Sequence, residues 1–330
     1  MMKVDPKKIK NIVVFSLSNI GDVILTFPVI DLVFEKFPNA SVSVVMGPKA
    51  LMLFAGNTHF KEWIIFDKHQ RASRNLKWAL WVRERKFDLI IDLRQTATKL
   101  FLMPIRGTSM LFPKKSKGHM REKHLNRLAE VIDFDGPAKE KKALYIPEKE
   151  RNEIEQSVKQ KFGDQKYIVV SPSAADKAKR WPVEGYIEVC RHWIQQYNMK
   201  IVLVGNGKED RLINEEMVAA LPPKDVLNLC FKATLVQLAA VLEGAVLAFG
   251  NDSAPMHMAS YLDKPVLTLF GPTDPVKYGP WSSNGHFLKK REMSFFNYKD
   301  MDWQNHSDCI TIDDVIHAVQ MEGDKVVFNR

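Results

Sequence analysis

Apolar and polar positions along this chain switch repeatedly between two periods. Short apolar runs of strand character at residues 11–17, 41–46, 64–66 and 87–93 alternate with helical spacing at 23–37 and 76–85. The alternation restarts in the second half, with strands at 167–171, 200–205, 245–249 and 266–270 and helices at 183–197, 209–221 and 235–242. Strand–helix alternation predicts a parallel, doubly wound α/β sheet, and two successive series predict two Rossmann-like domains, 1–160 and 161–330. The joint is expected within 135–164, a charged stretch holding Pro137 and Pro147. In open parallel sheets ligands bind outside the carboxyl ends of the strands, so candidate chemistry belongs in the segments that follow them.

Four such segments carry it. SLSNIGDVILTFP (16–28) places Gly21 and Asp22 at the first strand-to-helix turn. SPSAADKAKRWP (171–182) brings Lys177, Lys179 and Arg180 after the first strand of the second half, and VGNGKED (204–210) brings Glu209 after its second. The fourth, GNDSAPMHMA (250–259), crowds Asp252, Ser253 and His257 onto one helix start, with Asp252 or Ser253 expected as N-cap and Pro255 in the first turn. Unpaired amides and the positive end of the helix dipole suit an anion such as phosphate there. A second turn, LFGPTDP (269–275), adds Thr273 and Asp274. From the residues alone, Asp22 reads first as a dipole-stabilising carboxylate of a first helical turn, Glu209 equally well as one, and Lys179 as a solvated lysine.

Length and composition narrow the classes. A chain of 330 residues with 45% hydrophobic and 26% charged positions suits two globular domains. No apolar run approaches the ~20 residues that span a bilayer. The apolar stretch at 12–15 is cut off by Ser16 and Asn19, and it is expected to be a first strand and not a signal peptide. Three separated cysteines, Cys190, Cys230 and Cys309, argue against disulfides and a structural zinc and for a reducing cytoplasm. The net charge of +9 is concentrated: residues 61–127 hold seventeen Lys and Arg against six Asp and Glu. A basic surface suits an anionic partner, and Lys114, Lys115, Lys117 and Arg121 in its densest run are the candidate contacts. No nucleic-acid-binding pattern accompanies the charge. Asp133/Asp135 and Asp300/Asp302 fit a metal-dependent D-x-D string, but neither follows a clear strand, and no metal site is expected.

Taken in order, the four segments resemble the motifs of glycosyltransferase family 9, the bacterial heptosyltransferases of lipopolysaccharide inner-core assembly, over about residues 12–315. The resemblance implies a GT-B fold, two Rossmann-like domains facing across a central cleft. It implies an inverting, metal-independent transfer of heptose from ADP-heptose to a phosphorylated lipopolysaccharide core. The location would be cytoplasmic, peripheral on the inner membrane, with a nucleotide sugar as substrate, no cofactor and no nucleic-acid partner. Asp22 would be the general base, its pKa raised by burial, and Lys179 would stabilise the departing diphosphate. Gly21, Glu209, Asp252, Ser253, Ala254, His257 and Thr273 would complete the donor site, Glu209 on the ribose. The chain departs from the family at Ala254, where relatives usually have glycine, and at Ala174 and Ala175, where some offer hydroxyls. Those changes leave open another nucleotide-sugar donor or acceptor, a catalytically silent nucleotide-sugar binder, or a hydrolase or epimerase on the same fold.

Overall fold

A computed structural model describes residues 3–67, 80, 82–94, 106–108, 118–289, 310–322 and 325–329. The chain divides into two units, Met1–Tyr145 and Ile146–Arg330.

In the first unit, β1 (Asn11–Phe15), β2 (Ser41–Met46), β3 (Phe60–Ile65), β4 (Leu89–Asp92) and β5 (Arg106–Gly107) form one sheet in the order β3-β2-β1-β4-β5. Every pairing is parallel. Ile12 to Phe15 are all buried, because a parallel sheet is covered on both faces and its strands read as continuous apolar runs. The helix expected over 23–37 is two helices, α1 (Ile20–Ile24) and α2 (Phe27–Lys36). Pro28 is the cause: it has no amide to donate, and its ring would collide with the carbonyl of Ile24, so the helix stops and restarts with Pro28 in the first turn of α2. The helix expected over 76–85 lies mostly outside the described residues. Where the basic run was read as a loop, α3 (Met120–Leu128) begins behind His119, whose Nδ1 accepts from the Arg121 amide. The buried Asp31 carboxylate in α2 accepts from the amides of Lys142 and Ala143, both at 2.7 Å, and ties the end of the unit to its core.

The expected joint contains a helix, α4 (Glu148–Phe162), whose Ile154, Val158 and Phe162 are buried at intervals of four residues. It packs on α7 (Leu235–Gly244), where Glu150 accepts from Thr234, Glu153 from Gln237 and Arg151 pairs with Glu243. The first unit therefore ends at Tyr145 and not at 160, and α4 goes with the second.

That second unit is built on β6 (Tyr167–Ser171), β7 (Lys200–Leu203), β8 (Val226–Asn228), β9 (Leu247–Asn251), β10 (Val266–Phe270) and β11 (Gly285–Lys289). Their order is β11-β10-β9-β6-β7-β8, again all parallel. Between them run α5 (Val183–Tyr197), α6 (Lys208–Ala220), α7, α8 (Ala254–Tyr261) and the short α9 (Pro275–Tyr278). After 310 come α10 (Ile312–Ala318) and an antiparallel hairpin, β12 (Val319–Glu322) with β13 (Lys325–Phe328). The core centres on Phe249 of β9, with the rings of Tyr186 and Trp193 from α5 5.0 and 5.2 Å away. Each such ring buries enough apolar surface that truncation to alanine costs about 3–5 kcal/mol. No helix among the described residues is long and apolar enough to cross a membrane.

The strand orders fix where ligands go. In the first sheet the chain leaves β1 towards β2 on one side and β4 lies on the other. In the second, β7 and β8 extend one way from β6 and β9 to β11 the other. The topological switch points are therefore the carboxyl ends of β1/β4 and of β6/β9.

Candidate active site

At the switch point of the second unit, Asp252 follows β9 and its side chain is almost wholly buried. Its Oδ2 accepts from Lys179 Nζ at 2.7 Å and from Thr273 Oγ1 at 2.9 Å, while His257 Nε2 lies 3.5 Å from Oδ1. The sequence-predicted donor residues Lys179, Asp252, His257 and Thr273 thus converge on one carboxylate, drawn from three different strand-end loops. His257 is fixed from its other side by the Trp281 ring, stacked at 5.9 Å and 22°. A buried carboxylate held by a cation and a hydroxyl is satisfied, and charge-assisted bonds of this kind are the stronger ones.

Ser253 takes the N-cap position of α8, but its hydroxyl bonds no first-turn amide and sits 3.5 Å from Ser171 Oγ instead. Ser253 thus does not cap the helix through its side chain, and its hydroxyl leaves the positive end of α8 uncovered. Ala254 opens the helix and is not among the described residues with positive φ, so alanine is unstrained where glycine was expected. Gly250 is required. A Cβ there would lie 2.4 Å from the Ser171 carbonyl, because β6 and β9 close together at the switch point.

The Lys-x-Trp-Pro segment staples these loops. Asn251 Oδ1 accepts from the Trp181 amide at 3.0 Å, and its Nδ2 donates to the Pro172 carbonyl at 2.8 Å. Arg180 donates through Nε to the Ala174 carbonyl at 2.8 Å and pairs through Nη1 with Glu209. Glu209 is otherwise exposed at the start of α6, and the glycine turn is held by its neighbour. Asp210 Oδ2 accepts from the amides of Asn206 and Gly207 at 2.8 and 2.9 Å, and Oδ1 from Ser173 Oγ at 2.6 Å. Asp210 and Asn251 were not among the residues expected from the sequence, and Arg180 was expected only as part of a basic loop. Asp210 was within reach, because it stands three residues after Gly207, the spacing of a capping box.

At the switch point of the first unit, Gly21 and Asp22 lie in the first turn of α1 behind the N-cap Asn19, whose Nδ2 donates to Asp22 Oδ2 at 3.0 Å. Asp22 is half-buried. Thr26 Oγ1 donates to the Val23 carbonyl at 2.6 Å and accepts from the buried Ser16 hydroxyl at 2.8 Å. Of the basic run, Lys114, Lys115 and Lys117 lie outside the described residues. Arg121 is half-buried on α3, and burial lowers its pKa. One turn on, burial and then the nearby His119, Lys123 and Arg127 push the pKa of His124 down to about 4.

The sequence profile of glycosyltransferase family 9 (heptosyltransferase) matches residues 107–301. Lipopolysaccharide heptosyltransferase 3 of Escherichia coli K12 is 26% identical over 295 residues, 80% of this chain and 83% of that protein. Among solved structures, a family 9 glycosyltransferase of Veillonella parvula superposes with a TM-score of 0.78 at 23% identity, covering 96% of each chain. The E. coli heptosyltransferase WaaC with ADP-2-deoxy-2-fluoro heptose gives 0.65 at 15% identity, over 92% of this chain and 97% of that one. The fold is that of these enzymes, two parallel-sheet α/β domains of the GT-B type, and the motifs occupy the strand ends where such folds bind ligands. The chain belongs to glycosyltransferase family 9, the heptosyltransferases.

Proposed function

We propose that this enzyme transfers heptose from ADP-heptose to a phosphorylated lipopolysaccharide core with inversion at the anomeric carbon. The observation that carries the reading is the Asp252 cluster: Lys179, Thr273 and His257 gathered on one buried carboxylate beside the start of α8. A diphosphate calls for a cation and a main-chain donor at a helix start: Lys179 offers the first, and since Pro255 has no amide and those of Met256 and His257 donate to the Ser253 carbonyl, the second falls to the Ala254 amide. Relatives named as lipopolysaccharide heptosyltransferases, and a neighbour solved with an ADP-heptose analogue, support the choice of donor and pathway.

In the proposed step Asp22 takes the proton of an acceptor hydroxyl as that oxygen attacks the anomeric carbon. The bond from that carbon to the diphosphate oxygen breaks with its electron pair, and ADP leaves. Negative charge grows on the departing oxygen, so Lys179 and the positive end of α8 stabilise the transition state more than the ground state. Glu209, oriented by Arg180, accepts from ribose hydroxyls. No step calls on a metal or a cofactor. The acceptor is taken to be anionic because residues 61–127 carry a net +11, and screening would then weaken its binding as salt rises. We place the enzyme in the cytoplasm, peripheral on the inner membrane where such an acceptor is anchored.

The test is a transfer assay with ADP-, GDP- and UDP-sugars against core acceptors with and without their phosphates, read by mass of the product and by nucleotide release. Transfer from ADP-heptose to the phosphorylated acceptor is expected. Preference for another nucleotide, or indifference to the phosphates, would overturn the corresponding half of the reading. Nucleotide release without product would favour a hydrolase.

A further inference from the structure

The loop that leaves β1 is held from two sides. From β4, Arg94 donates through Nε to the Ser16 carbonyl and through Nη2 to the Leu17 carbonyl at 3.2 Å. Its own amide donates to Asp92 Oδ1 at 2.9 Å, and its guanidinium lies over the Phe66 ring, 5.3 Å from the centroid. From β2, the Gly47 amide donates to the same Leu17 carbonyl at 3.0 Å. A Cβ on Gly47 would fall 2.7 Å from Ser18 Cα, so the loop rests directly on that backbone. Asn19 takes the N-cap position of α1 immediately afterwards, and its side chain bonds no first-turn amide but donates to Asp22. Only residues 18–21 separate the clamp from Asp22, and two of them already belong to α1.

We propose that Arg94 is a positioning residue for the general base: by forking two consecutive carbonyls it sets the entry of α1 and with it the place of the Asp22 carboxylate. This rests on the reading of Asp22 as the base. Stability alone is a poor explanation for the arginine. Burial lowers its pKa to about 10, which means that its charge is held at a cost in desolvation, and an apolar side chain would fill the space without that cost. What an apolar side chain cannot supply is a rigid fork of donors aimed at two adjacent carbonyls.

The experiment measures turnover, donor Michaelis constant and ADP affinity for Arg94→Met, Arg94→Lys and Gly47→Ala, alone and with Asp22→Asn. A displaced base costs turnover while leaving donor binding intact, so Arg94→Met should lower kcat about ten- to a hundredfold with ADP affinity within twofold. Lysine, which can donate to one carbonyl, should restore part of the loss. Gly47→Ala disturbs the same loop from the opposite side and should lower kcat in the same way, which covers the case of Arg94→Met failing to fold. In the Asp22→Asn background, Arg94→Met should add little, because a base that is gone cannot be misplaced. Full additivity in that background, or unchanged kcat in the single variants, overturns the inference while leaving the base assignment standing. Near-normal turnover of Asp22→Asn itself overturns the base assignment instead.

Discussion

Lys179 and Asp252 offer a perturbation whose stability effect and functional effect can be separated. The Asp252 side chain is 4% exposed and that of Lys179 26%, so replacing the lysine by methionine leaves a buried carboxylate that keeps, among the described residues, Thr273 and His257. Removing one partner of a buried pair costs about 3–5 kcal/mol when nothing replaces it. Here a hydroxyl at 2.9 Å and an imidazole persist and the lysine is partly solvated, so the expected cost is about 2 kcal/mol. For a domain of this size that lowers the melting temperature by ~4–8 °C. Adding Asp252→Asn removes the uncompensated charge, and most of the lost stability should return.

Activity should not follow stability back. If Lys179 serves the departing diphosphate, Lys179→Met raises the donor Michaelis constant and lowers turnover, together at least a hundredfold in kcat/KM, and the double variant stays as poor. If Lys179 exists only to neutralise Asp252, the double variant regains turnover along with its melting temperature. Calorimetric unfolding and initial rates on wild type, Lys179→Met and the double variant decide the matter. A double variant with near-normal turnover would falsify the donor role, and an unchanged melting temperature for Lys179→Met would refute the energetic reasoning.

Asp22→Asn keeps the bond with Asn19 and the helix start, so turnover should drop on the order of a hundredfold or more while ADP affinity and melting temperature stay near wild type. A merely dipole-stabilising aspartate would show the reverse, a small loss of stability and normal turnover. His124 gives a pH signature. It is neutral when folded, with a pKa of about 4 against the ordinary 6.5 of a histidine, so between those pH values the unfolded chain binds the extra proton and stability falls as the solution is acidified. The loss between pH 7.5 and pH 5 should be about 2 kcal/mol and should vanish in His124→Leu, as denaturant titrations at both pH values would reveal. An equal loss in the variant would assign the acid sensitivity elsewhere. Arg180→Met and Glu209→Gln should each raise the donor Michaelis constant several-fold with little change in melting temperature. Combined they should do no more than the worse of the two, since one acts through the other; additive effects would mean that the pair at the start of α6 does not work as a unit.

How much of this was legible in the sequence depended on what kind of interaction carried each feature. Strands β1, β6 and β10 showed themselves because they are buried on both faces and read as unbroken apolar runs. The position of every motif after a strand was legible for the same reason, and each parallel sheet then gathers its own strand ends at one edge without further instruction. Helix α4 was hidden, since Ile154, Val158 and Phe162 are a narrow stripe in a segment otherwise dominated by charge. Strand β11 was hidden too: GHFLK is an edge strand with no buried residue and so no apolar run to detect. Strand order was beyond reach, because it is settled by which side each crossover takes, and no local pattern encodes that.

The same division runs through the site. Residue types at a turn can be weighed from sequence, which is how Asp252, His257 and Thr273 were singled out, while Lys179 read as a solvated lysine until the family resemblance gave it a role. That they share one carboxylate was not available, since Lys179 lies 73 positions before Asp252 and Thr273 21 after it. Side chains that act on backbone were harder still. Asn251, Asp210 and Arg94 bond chiefly to amides and carbonyls, groups that nearly every residue offers, so nothing in the partner's identity marks the contact. Such residues become visible only when the fold has brought a particular stretch of main chain within their reach. Arg94 is the clearest instance: its partners are the carbonyls of Ser16 and Leu17, and their importance comes from Asp22, five residues further on.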